Sequence, residues 1–344
     1  MEYLKLLLAW IFGRAVLGRR LLYRYDILKT RRLPHPVISV GNLTIGGTGK
    51  TPLVAYLALR LKEAGYSPVI LSRGYKRKPG IKPLLVSDGS QILSSPETCG
   101  DEPYLLAQKL EGVVLAVGKN RWRAGQSLST LPGRLVYILD DGYQHLKLAR
   151  DLDLLLIDGT QPLESQALLP AGRLREPLSA MQRADAIVVT REHLAPDLSK
   201  LVQEIRGRNP AIPIFPFSHE IDEIYDLASG ERLYRTDLRG KGVVALAAIG
   251  NPVQFLRDLD MAGITVLDSF LFRDHHRYSR KELERALKRC QELSATGIVT
   301  TEKDAVRLKG LNFEHDQVFA VSIKARTKDP ASFLNWVLQR LVET

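Results

Sequence analysis

The stretch "VISVGNLTIGGTGKTP", Val37 to Pro52, decides the fold of this chain. Its opening residues, Val37–Val40, are mostly apolar and β-branched, which predicts a short buried strand. A helix over Pro52–Lys62 should follow, because proline costs nothing in the first turn of a helix. The glycines therefore lie between a strand and a helix. There, backbone N–H groups and the helix N-terminus together favour a bound phosphate.

The loop between these elements departs from the usual phosphate-loop pattern at one position. The pattern G-x-x-x-x-G-K-[ST] requires a glycine where this chain has Thr44. The loop still ends in Gly-Lys-Thr, which favours a nucleotide site over a plain glycine-rich turn. In such a site Lys50 contacts the β- and γ-phosphates and the Thr51 hydroxyl faces Mg²⁺. We predict that the whole loop binds nucleotide: Thr44, Ile45, Gly46, Gly47, Thr48, Gly49, Lys50 and Thr51.

Length and composition describe an ordinary globular protein with room for two domains. The chain has 344 residues, of which 45% are hydrophobic and 25% are charged. Its two cysteines, Cys99 and Cys290, are far apart in the sequence and have no metal-ligand neighbours. We therefore expect two unreactive thiols in a reducing compartment, and no disulfide framework.

The positive charge is concentrated at the N-terminus. The net charge is +11, and +6 of it lies in residues 1–32. In the same segment Tyr3–Gly18 is largely apolar, and as a helix it would span roughly 24 Å, less than a ~30 Å hydrocarbon core. An interfacial anchor on an anionic membrane is therefore favoured over nucleic-acid binding. A core helix stays open as the alternative. Export is disfavoured because no A-x-A-like cleavage site follows.

Beyond the loop, strand-like and helix-like segments alternate. This alternation predicts an α/β fold with a mostly parallel sheet and helices on both faces. Residues 223–235 form two short runs around Ser229-Gly230, which predicts a β-hairpin. The predicted strands after the first are 68–72, 113–117, 135–139, 152–157, 186–190, 212–217, 243–248, 264–267, 298–300 and 318–321. The predicted organisation is an N-terminal anchoring helix (1–33), a phosphate-loop core (34–221), a hairpin linker (222–238) and a smaller α/β domain (239–344).

Two apolar strands end in acidic residues, as the strand that supports Mg²⁺ does in nucleotide-binding proteins. One is "RLVYILDDGYQH", which contains Asp140 and Asp141, and the other is "LDLLLID", which ends at Asp158. Only one of the two strand ends is expected to bind Mg²⁺, and the other is then a decoy, a similar pattern without that function. Asp140 and Asp141 are favoured, because Gln144 and His145 add polar groups at the same strand end.

Two further segments carry candidate catalytic groups. In "CGDEP", Asp101 and Glu102 precede a predicted helix, so Asp101 is either a helix cap or a base for an attacking hydroxyl. In "FRDHHRYS", Asp274 is followed by His275 and His276, which indicates either a polar loop or half of a metal site. The basic segments "SRGYKRK" and "GKNRWRAG" could hold an anionic ligand, or be solvated loops.

Taken in order, these motifs resemble one family over nearly the whole chain. The shared motifs are "SVGNLTIGGTGKTP", "LSRGYKRK", "GDEP", "VGKNR", "LDDGYQH", "LLPAGRLREP", "GNPVQF", "FRDHH" and "TTEKDAVRL". They are similar to those of the tetraacyldisaccharide 4′-kinases, the lipid A 4′-kinases of Gram-negative bacteria. The family's loops carry the same variant glycine pattern, which accounts for Thr44.

The resemblance implies transfer of the γ-phosphate of ATP, with Mg²⁺, to the 4′-hydroxyl of tetraacyldisaccharide 1-phosphate, forming lipid IVA. It implies a monomer at the cytoplasmic face of the bacterial inner membrane, acting on an anionic lipid and not on nucleic acid. The second domain is expected to close over the nucleotide. The alternative is a membrane-associated P-loop ATPase of regulatory or scaffold type. It is disfavoured because Ile45 stands where such proteins carry a lysine.

Residue roles follow from the resemblance, motif by motif. Asp101 is implied as the catalytic base, with His275, the residue directly after Asp274, chosen over His276 as its partner. On the nucleotide side the resemblance adds Thr301, Glu302 and Lys303. The implied magnesium site is Thr51, Asp140 and Asp141, with Glu102 nearby. The implied substrate residues are Tyr75, Arg121, Gln144, and Arg173 or Arg175.

Overall fold

The computed structural model describes residues 2–74, 82–163, 166–311 and 317–342. The chain divides into two compact units. The first comprises the chain up to His219 and the segment from Ala325 onward, and the second is Glu220–Lys324. The α/β class predicted from the sequence is confirmed, with strands and helices alternating along the chain.

Two predicted domain boundaries need correction. Residues 325–344 were expected in the second domain, but the segment from Ala325 belongs to the first unit. The physical reason is burial: Phe333 and Val337 pack with Phe217 in the core of the first unit. The predicted hairpin exists, with Ile224 opposite Leu233. However, it lies inside the second unit and is not a linker before it.

The strands lie close to their predicted positions. They are β1 (Val37–Asn42), β2 (Ser67–Ser72), β3 (Leu84–Asp88), β4 (Val114–Val117), β5 (Leu135–Asp140), β6 (Leu152–Asp158), β7 (Ala186–Thr190), β8 (Ile214–Asp226), β9 (Arg232–Leu233), β10 (Gly242–Ala247), β11 (Thr265–Leu271), β12 (Ile298–Thr301) and β13 (Val318–Arg326).

Most of the helices lie between the strands. They are α1 (Glu2–Arg24), α2 (Lys50–Glu63), α3 (Pro96–Cys99), α4 (Asp101–Lys109), α5 (Arg121–Gln126), α6 (Leu198–Arg208), α7 (Arg235–Leu238), α8 (Pro252–Met261), α9 (Arg280–Glu292), α10 (Glu302–Lys309) and α11 (Pro330–Val342). Short 3₁₀ turns cover Leu178–Arg183 and Glu192–Leu194.

The sheet of the first unit places β1 at its centre. The strand order is β8-β7-β6-β1-β5-β2-β4-β3. The neighbouring pairs from β8 to β4 are parallel, and β3 joins β4 antiparallel at the edge. The sequence analysis missed β3. Because β1 lies between β5 and β6, the carboxyl ends of all three strands meet where the glycine-rich loop begins.

Helices cover both faces of this sheet. On one face Leu53, Leu57 and Leu61 of α2 pack with Ile38 and Val40 of β1. On the opposite face Val37, Leu139 and Tyr137 pack with Ala124 of α5. Because β1 is buried on both faces, its residues form the near-continuous apolar run expected of a central parallel strand.

The second unit is a smaller α/β layer with the strand order β11-β10-β12-β13-β8 and with β9 paired to β8. Its strands β11, β10, β12 and β13 are parallel to their neighbours in that series. Phe255 and Leu259 of α8 cover one face of this sheet. On another face Leu283 and Cys290 of α9 pack against Val244. Cys290 and Cys99 are both buried, and neither forms a disulfide within the described residues.

The N-terminal helix α1 has 23 residues, and the residue that it buries is Ala9. Its apolar side chains are largely exposed, among them Leu4, Leu7 and Trp10. The core-helix alternative is therefore wrong. Among the described helices none combines the length and the apolar character needed to cross a bilayer.

Candidate functional site

The glycine-rich loop (Thr44–Thr51) joins β1 to α2 at the centre of the first unit. Gly46 and Gly49 have φ values of 105° and 80°, a region that favours glycine. A side chain at either position would also collide with a neighbour, with Arg173 at Gly46 and with the ring of His219 at Gly49. The loop therefore favours glycine at both positions for conformational reasons, and at Gly49 the buried His219 ring adds a steric reason.

Thr44, the departure from the expected pattern, has a structural role. The amide nitrogen of Asn42 donates to the Thr44 hydroxyl at 3.1 Å and to its carbonyl at 2.9 Å. The residue is absent from the positive-φ positions of the described backbone, so it needs no glycine. A threonine here fixes the Asn42 side chain, whose oxygen then accepts from Lys50 at 3.0 Å.

A second segment, Arg173–Arg175, pairs with the start of the loop. The Ile45 N–H donates to the Arg173 carbonyl at 2.8 Å, and the Arg175 N–H donates to the Leu43 carbonyl at 2.6 Å. Both candidate arginines consequently reach the loop. Arg173 donates to the Ile45 carbonyl at 2.9 Å. Arg175 donates to the Asn42 carbonyl at 3.0 Å, and also to the Asn42 side-chain oxygen.

Asp141 is held by two cations. Arg175 donates to both of its carboxylate oxygens at 2.9 Å, and Lys50 Nζ lies 3.6 Å from Oδ1. Burial opposes ionisation of Asp141, but Lys50 and Arg175 outweigh burial and hold its pKa well below the ordinary value. The backbone of Asp141 has a φ of 51°, which is uncommon for a residue with a side chain.

Asp140, its neighbour at the end of β5, has the opposite electrostatics. Burial, together with the nearby carboxylates of Glu102 and Asp141, raises the pKa of Asp140 to about 6. The Ser72 hydroxyl donates to Asp140 Oδ2 at 2.9 Å. Asp140 is therefore a buried carboxyl group next to other negative charges, an environment that a divalent cation would relieve. No ready-made cluster of three metal-ligating side chains occurs in the described residues.

Asp158, at the end of β6, is neutralised within the protein. Arg191 donates to its Oδ2 at 2.5 Å, and the Thr160 hydroxyl donates to its Oδ1 at 2.8 Å. The contrast with Asp140 supports our choice of Asp158 as the decoy. Its carboxylate stabilises the region behind the loop and does not face an uncompensated site.

Asp101 is the first residue of α4, and Gly100 occupies the cap position, without a side-chain cap hydrogen bond. The capping interpretation of Asp101 does not describe this helix start. The next residue, Glu102, is close enough to Asp140 to raise its pKa. The first turn of α4 therefore brings the Glu102 carboxylate close to the carboxyl end of β5.

Two of the predicted substrate residues, Arg121 and Gln144, lie at the same strand end. Arg121 is 5% exposed, and burial together with Arg73 lowers its pKa to about 10. Its Nη1 lies 3.2 Å from His145 Nδ1, and because arginine only donates, that nitrogen accepts. Burial and Arg121 lower the pKa of His145 to about 3, so the imidazole is neutral.

The Gln144 amide donates to the Asn42 carbonyl at 2.9 Å, which ties this turn to β1. Its own carbonyl accepts from Arg19 of α1 at 3.2 Å. The N-terminal helix thus contacts the site through a backbone group. Tyr75, the remaining substrate candidate, lies outside the described residues.

The candidates of the second unit form a separate network. His275 has a φ of 63°, its N–H donates to the Ala248 carbonyl at 3.2 Å, and its Nδ1 accepts from Arg307 at 3.1 Å. His276 instead lies 3.0 Å from a carboxylate oxygen of Glu282. Both histidines have partners, His275 in Arg307 of α10 and His276 in Glu282 of α9, so the choice of His275 stays a prediction. Its pairing with Asp101 stays a prediction.

The segment Thr301–Lys303 begins α10. Thr301 caps this helix, accepting from the Asp304 N–H at 3.1 Å and donating to the Asp304 carboxylate at 2.8 Å. Lys303 Nζ lies 3.5 Å from Asp274. A contact of Thr301, Glu302 or Lys303 with nucleotide stays a prediction.

Two residues that support the loop were missed in the sequence. Asn42 is the residue that Lys50, Arg175 and Gln144 share as a partner. Arg191 follows β7 and donates to the Gly47 carbonyl at 3.0 Å. A polar residue at the end of a central apolar strand was a visible signal for Asn42. Arg191 gave no local signal, because its partners lie far away in the sequence.

A glycine-rich loop at the end of a central strand, with acidic and basic side chains converging on it, is the arrangement of an α/β phosphotransferase. A family model described as Tetraacyldisaccharide-1-P 4′-kinase matches residues 1–342. The chain belongs to this family, and is an ATP-dependent lipid kinase of lipid A biosynthesis. The family predicted from the motifs is confirmed.

Curated relatives and one solved structure agree with this assignment. The tetraacyldisaccharide 4′-kinase of Pelobacter propionicus is 40% identical over 315 residues, covering 91% of this chain and 85% of the relative. That of Halothermothrix orenii is 37% identical over 309 residues, covering 86% and 80%. A crystal structure described as the "apo" form of LpxK from Aquifex aeolicus in complex with ATP is 34% identical. It covers 98% of both chains with a TM-score of 0.79.

Proposed function

We propose that this chain transfers the γ-phosphate of ATP to the 4′-hydroxyl of tetraacyldisaccharide 1-phosphate, using the first unit as a phosphate-loop core. The observation that carries the proposal is the convergence of Lys50, Asp140, Asp141 and Arg175 beside the glycine-rich loop. The names of the relatives, and the ATP of the Aquifex aeolicus complex, support the choice of substrate and co-substrate.

The residues fit a nucleotide with Mg²⁺. Asp140 would hold the metal together with Thr51 in the first turn of α2, with Glu102 and Asp141 nearby. A bound Mg²⁺ supplies positive charge that neutralises the phosphoryl oxygens. Lys50 is tied to Asn42 and lies near Asp141, so it is positioned at the loop before nucleotide binds. Its charge then stabilises the negative charge that develops on the transferred group.

Asp101 is the proposed general base. It accepts the proton of the attacking hydroxyl as the new P–O bond forms, a role that requires a carboxylate within hydrogen-bond reach of that hydroxyl. Its place at the start of α4, next to Glu102, supports the assignment. The proposed roles of His275, Thr301, Glu302 and Lys303 rest on the motif resemblance alone.

The lipid side of the proposal uses the remaining cations and α1. Arg173 is exposed beside the loop and offers a planar donor to an anionic head group. The substrate roles of Arg121, which is buried, and of Arg175, which holds Asp141, rest on the motif resemblance. The exposed apolar and basic residues of α1 suit attachment to the cytoplasmic face of an anionic membrane. Arg19 connects this helix to the carbonyl of Gln144.

The test is transfer of labelled phosphate from ATP to tetraacyldisaccharide 1-phosphate, with the position of the new phosphate assigned by NMR. We expect a 4′-phosphate that depends on Mg²⁺. ATP hydrolysis without lipid phosphorylation would reject the proposal and favour an ATPase.

The base is tested by Asp101→Asn against Glu97→Gln, an exposed carboxylate of the preceding helix α3. Asp101→Asn should lower kcat roughly 10²–10⁴-fold with little change in the KM for ATP. The Glu97 variant should keep its activity. A folded Asp101→Asn protein with normal kcat would remove Asp101 from the mechanism.

A further inference from the structure

A buried ion pair lies behind the glycine-rich loop, on the side of β6 and β7. It joins Arg191 to Asp158 at 2.5 Å, and the two side chains are 9% and 4% exposed. The other terminal nitrogen of the Arg191 guanidinium donates to the Gly47 carbonyl at 3.0 Å. Beside it, the hydroxyl of Thr190 donates to the Thr48 carbonyl at 3.0 Å. Two consecutive carbonyls of the loop are therefore held by two consecutive residues at the end of β7.

Because the two carbonyls are held, the geometry of the peptide bond fixes the direction of the N–H groups that follow them. In a trans peptide the C=O and the following N–H point in opposite directions. Because the Gly47 and Thr48 carbonyls face β7, the N–H groups of Thr48 and Gly49 face away from it. No backbone carbonyl in the described part of the chain accepts from either group. They remain available on the face of the loop opposite β7, as phosphate binding requires.

The position of Arg191 is specific in two ways. Its φ is 54°, a left-handed conformation that costs free energy in a residue with a side chain, and such strain is often found at functional sites. Its guanidinium bridges a carboxylate and a carbonyl with separate nitrogens. A lysine has one ammonium group and no fork that could span the same two partners.

We propose that Arg191 is a positioning residue of the kinase. Braced by Asp158, it holds the Gly47 peptide so that the loop presents its N–H groups to the phosphates of the nucleotide. This inference rests on the proposed use of the loop for ATP. It assigns a function to the second strand-end aspartate as well, since Asp158 supports the loop from behind and binds no metal.

Arg191→Lys tests this proposal, because it keeps a positive charge opposite Asp158 and removes the fork. We expect the KM and the Kd for Mg·ATP to rise about tenfold or more, the factor that one charge-assisted hydrogen bond supplies. The KM for the lipid should stay unchanged. Amide exchange in residues 46–49, followed by mass spectrometry, should become faster in the variant.

The matched control is Arg150→Gln. Arg150 forms a buried ion pair with Asp153 at 2.7 Å near the amino end of β6, whereas Asp158 lies at the carboxyl end of the same strand. This variant should lose stability without a change in ATP affinity or in loop exchange. Arg191→Gln adds a second variant, and its melting temperature separates folding from binding.

The outcomes are distinguishable. If the wild-type protein does not bind Mg·ATP, the proposed function itself fails. If the wild type binds it, and folded Arg191→Lys binds with the same Kd and shows the same loop exchange, Arg191 is merely structural. Equal losses of ATP affinity in Arg150→Gln and Arg191→Lys would also overturn the inference.

Discussion

The ends of β5 and β6 look alike in sequence and differ in the folded protein. Both strands pair with β1, both are buried, and both end in aspartate. At the end of β6, Asp158 is neutralised by Arg191 and hydrogen-bonded to Thr160. At the end of β5, Asp140 lies near two further carboxylates, Glu102 and Asp141, and its pKa is raised.

The difference teaches how a structural strand-end carboxylate differs from one available for a cation. Asp158 is paired with Arg191, which follows β7, so its charge contributes to stability. Within the described residues Asp140 is buried without an arginine or lysine of its own, and Lys50 only partly compensates it. A buried charge without a partner costs free energy, and proteins keep such groups mainly where a ligand completes them.

The largest effect on activity is expected from a substitution beside the carboxyl end of β5. Lys50→Ala removes the cation that lies at Asn42 and Asp141, and we expect kcat to fall by on the order of 10³-fold or more. Labelled phosphate transfer to the lipid measures this loss. The matched control is Lys62→Ala at the other end of α2, where the ammonium contacts the Glu111 carbonyl at 2.7 Å. Normal turnover in a folded Lys50→Ala protein would contradict the nucleotide site.

A substitution at the carboxyl end of β6 should lower the stability of the protein and change its catalytic rate much less. Asp158→Asn leaves the Arg191 charge buried without its carboxylate, so the free energy of unfolding should fall by about 3–5 kcal/mol. Urea denaturation measures the change, and kcat should remain within about tenfold of wild type because no reacting group is lost. A kcat loss as large as that of Lys50→Ala would make Asp158 the metal ligand and Asp140 the decoy.

Local patterns predicted the strands and the loop well, because a parallel strand buried on both faces is legible within a few residues. β7, Ala186–Thr190, matches its prediction at both ends. Contacts between segments that are far apart in the sequence could not be predicted in this way. The antiparallel edge strand β3 and the return of α11 to the first unit depend on packing partners distant in sequence.

The site shows the same limit. Lys50, Asp140 and Asp141 follow from motif and strand position, and Arg173 and Arg175 from the resemblance. The choice between Asp140 and Asp158 depends on Arg191, which is 33 residues from Asp158, and on Glu102 from another helix. Charge compensation is a property of the folded protein, so no strand pattern could have revealed it.

A smaller difference between the two strand ends is expected in how the free energy of unfolding depends on pH. The pKa of Asp140 is raised from 3.8 to about 6, so the folded state favours the protonated form, and stability is lost as the pH rises through about 6. Asp140→Asn removes this loss. The variant should match wild type near pH 4 and exceed its unfolding free energy by about 2–3 kcal/mol above pH 7.

Thermal and urea unfolding without nucleotide, at pH 4, 5.5 and 7.5, measure this difference. The prediction concerns stability only, since the variant should be a poor kinase. A variant that is less stable than wild type at pH 7.5 would show that the Asp140 charge is compensated after all.

The smallest effects come from removing one hydroxyl on each side. Ser72 donates to Asp140 and favours its charged form, whereas Thr160 donates to Asp158, which Arg191 already neutralises. Each deletion to alanine should cost about 1 kcal/mol of stability. Only Ser72→Ala should raise the pKa of Asp140 further, and so move the acid limb of kcat/KM for ATP to higher pH.

If Asp140 must be ionised to hold Mg²⁺, Ser72→Ala loses activity severalfold near pH 6 and little at pH 8, while Thr160→Ala keeps the wild-type profile. Identical profiles for the two variants would mean that ionisation of Asp140 does not limit the reaction, and the asymmetry between the two strand ends would then be one of packing alone.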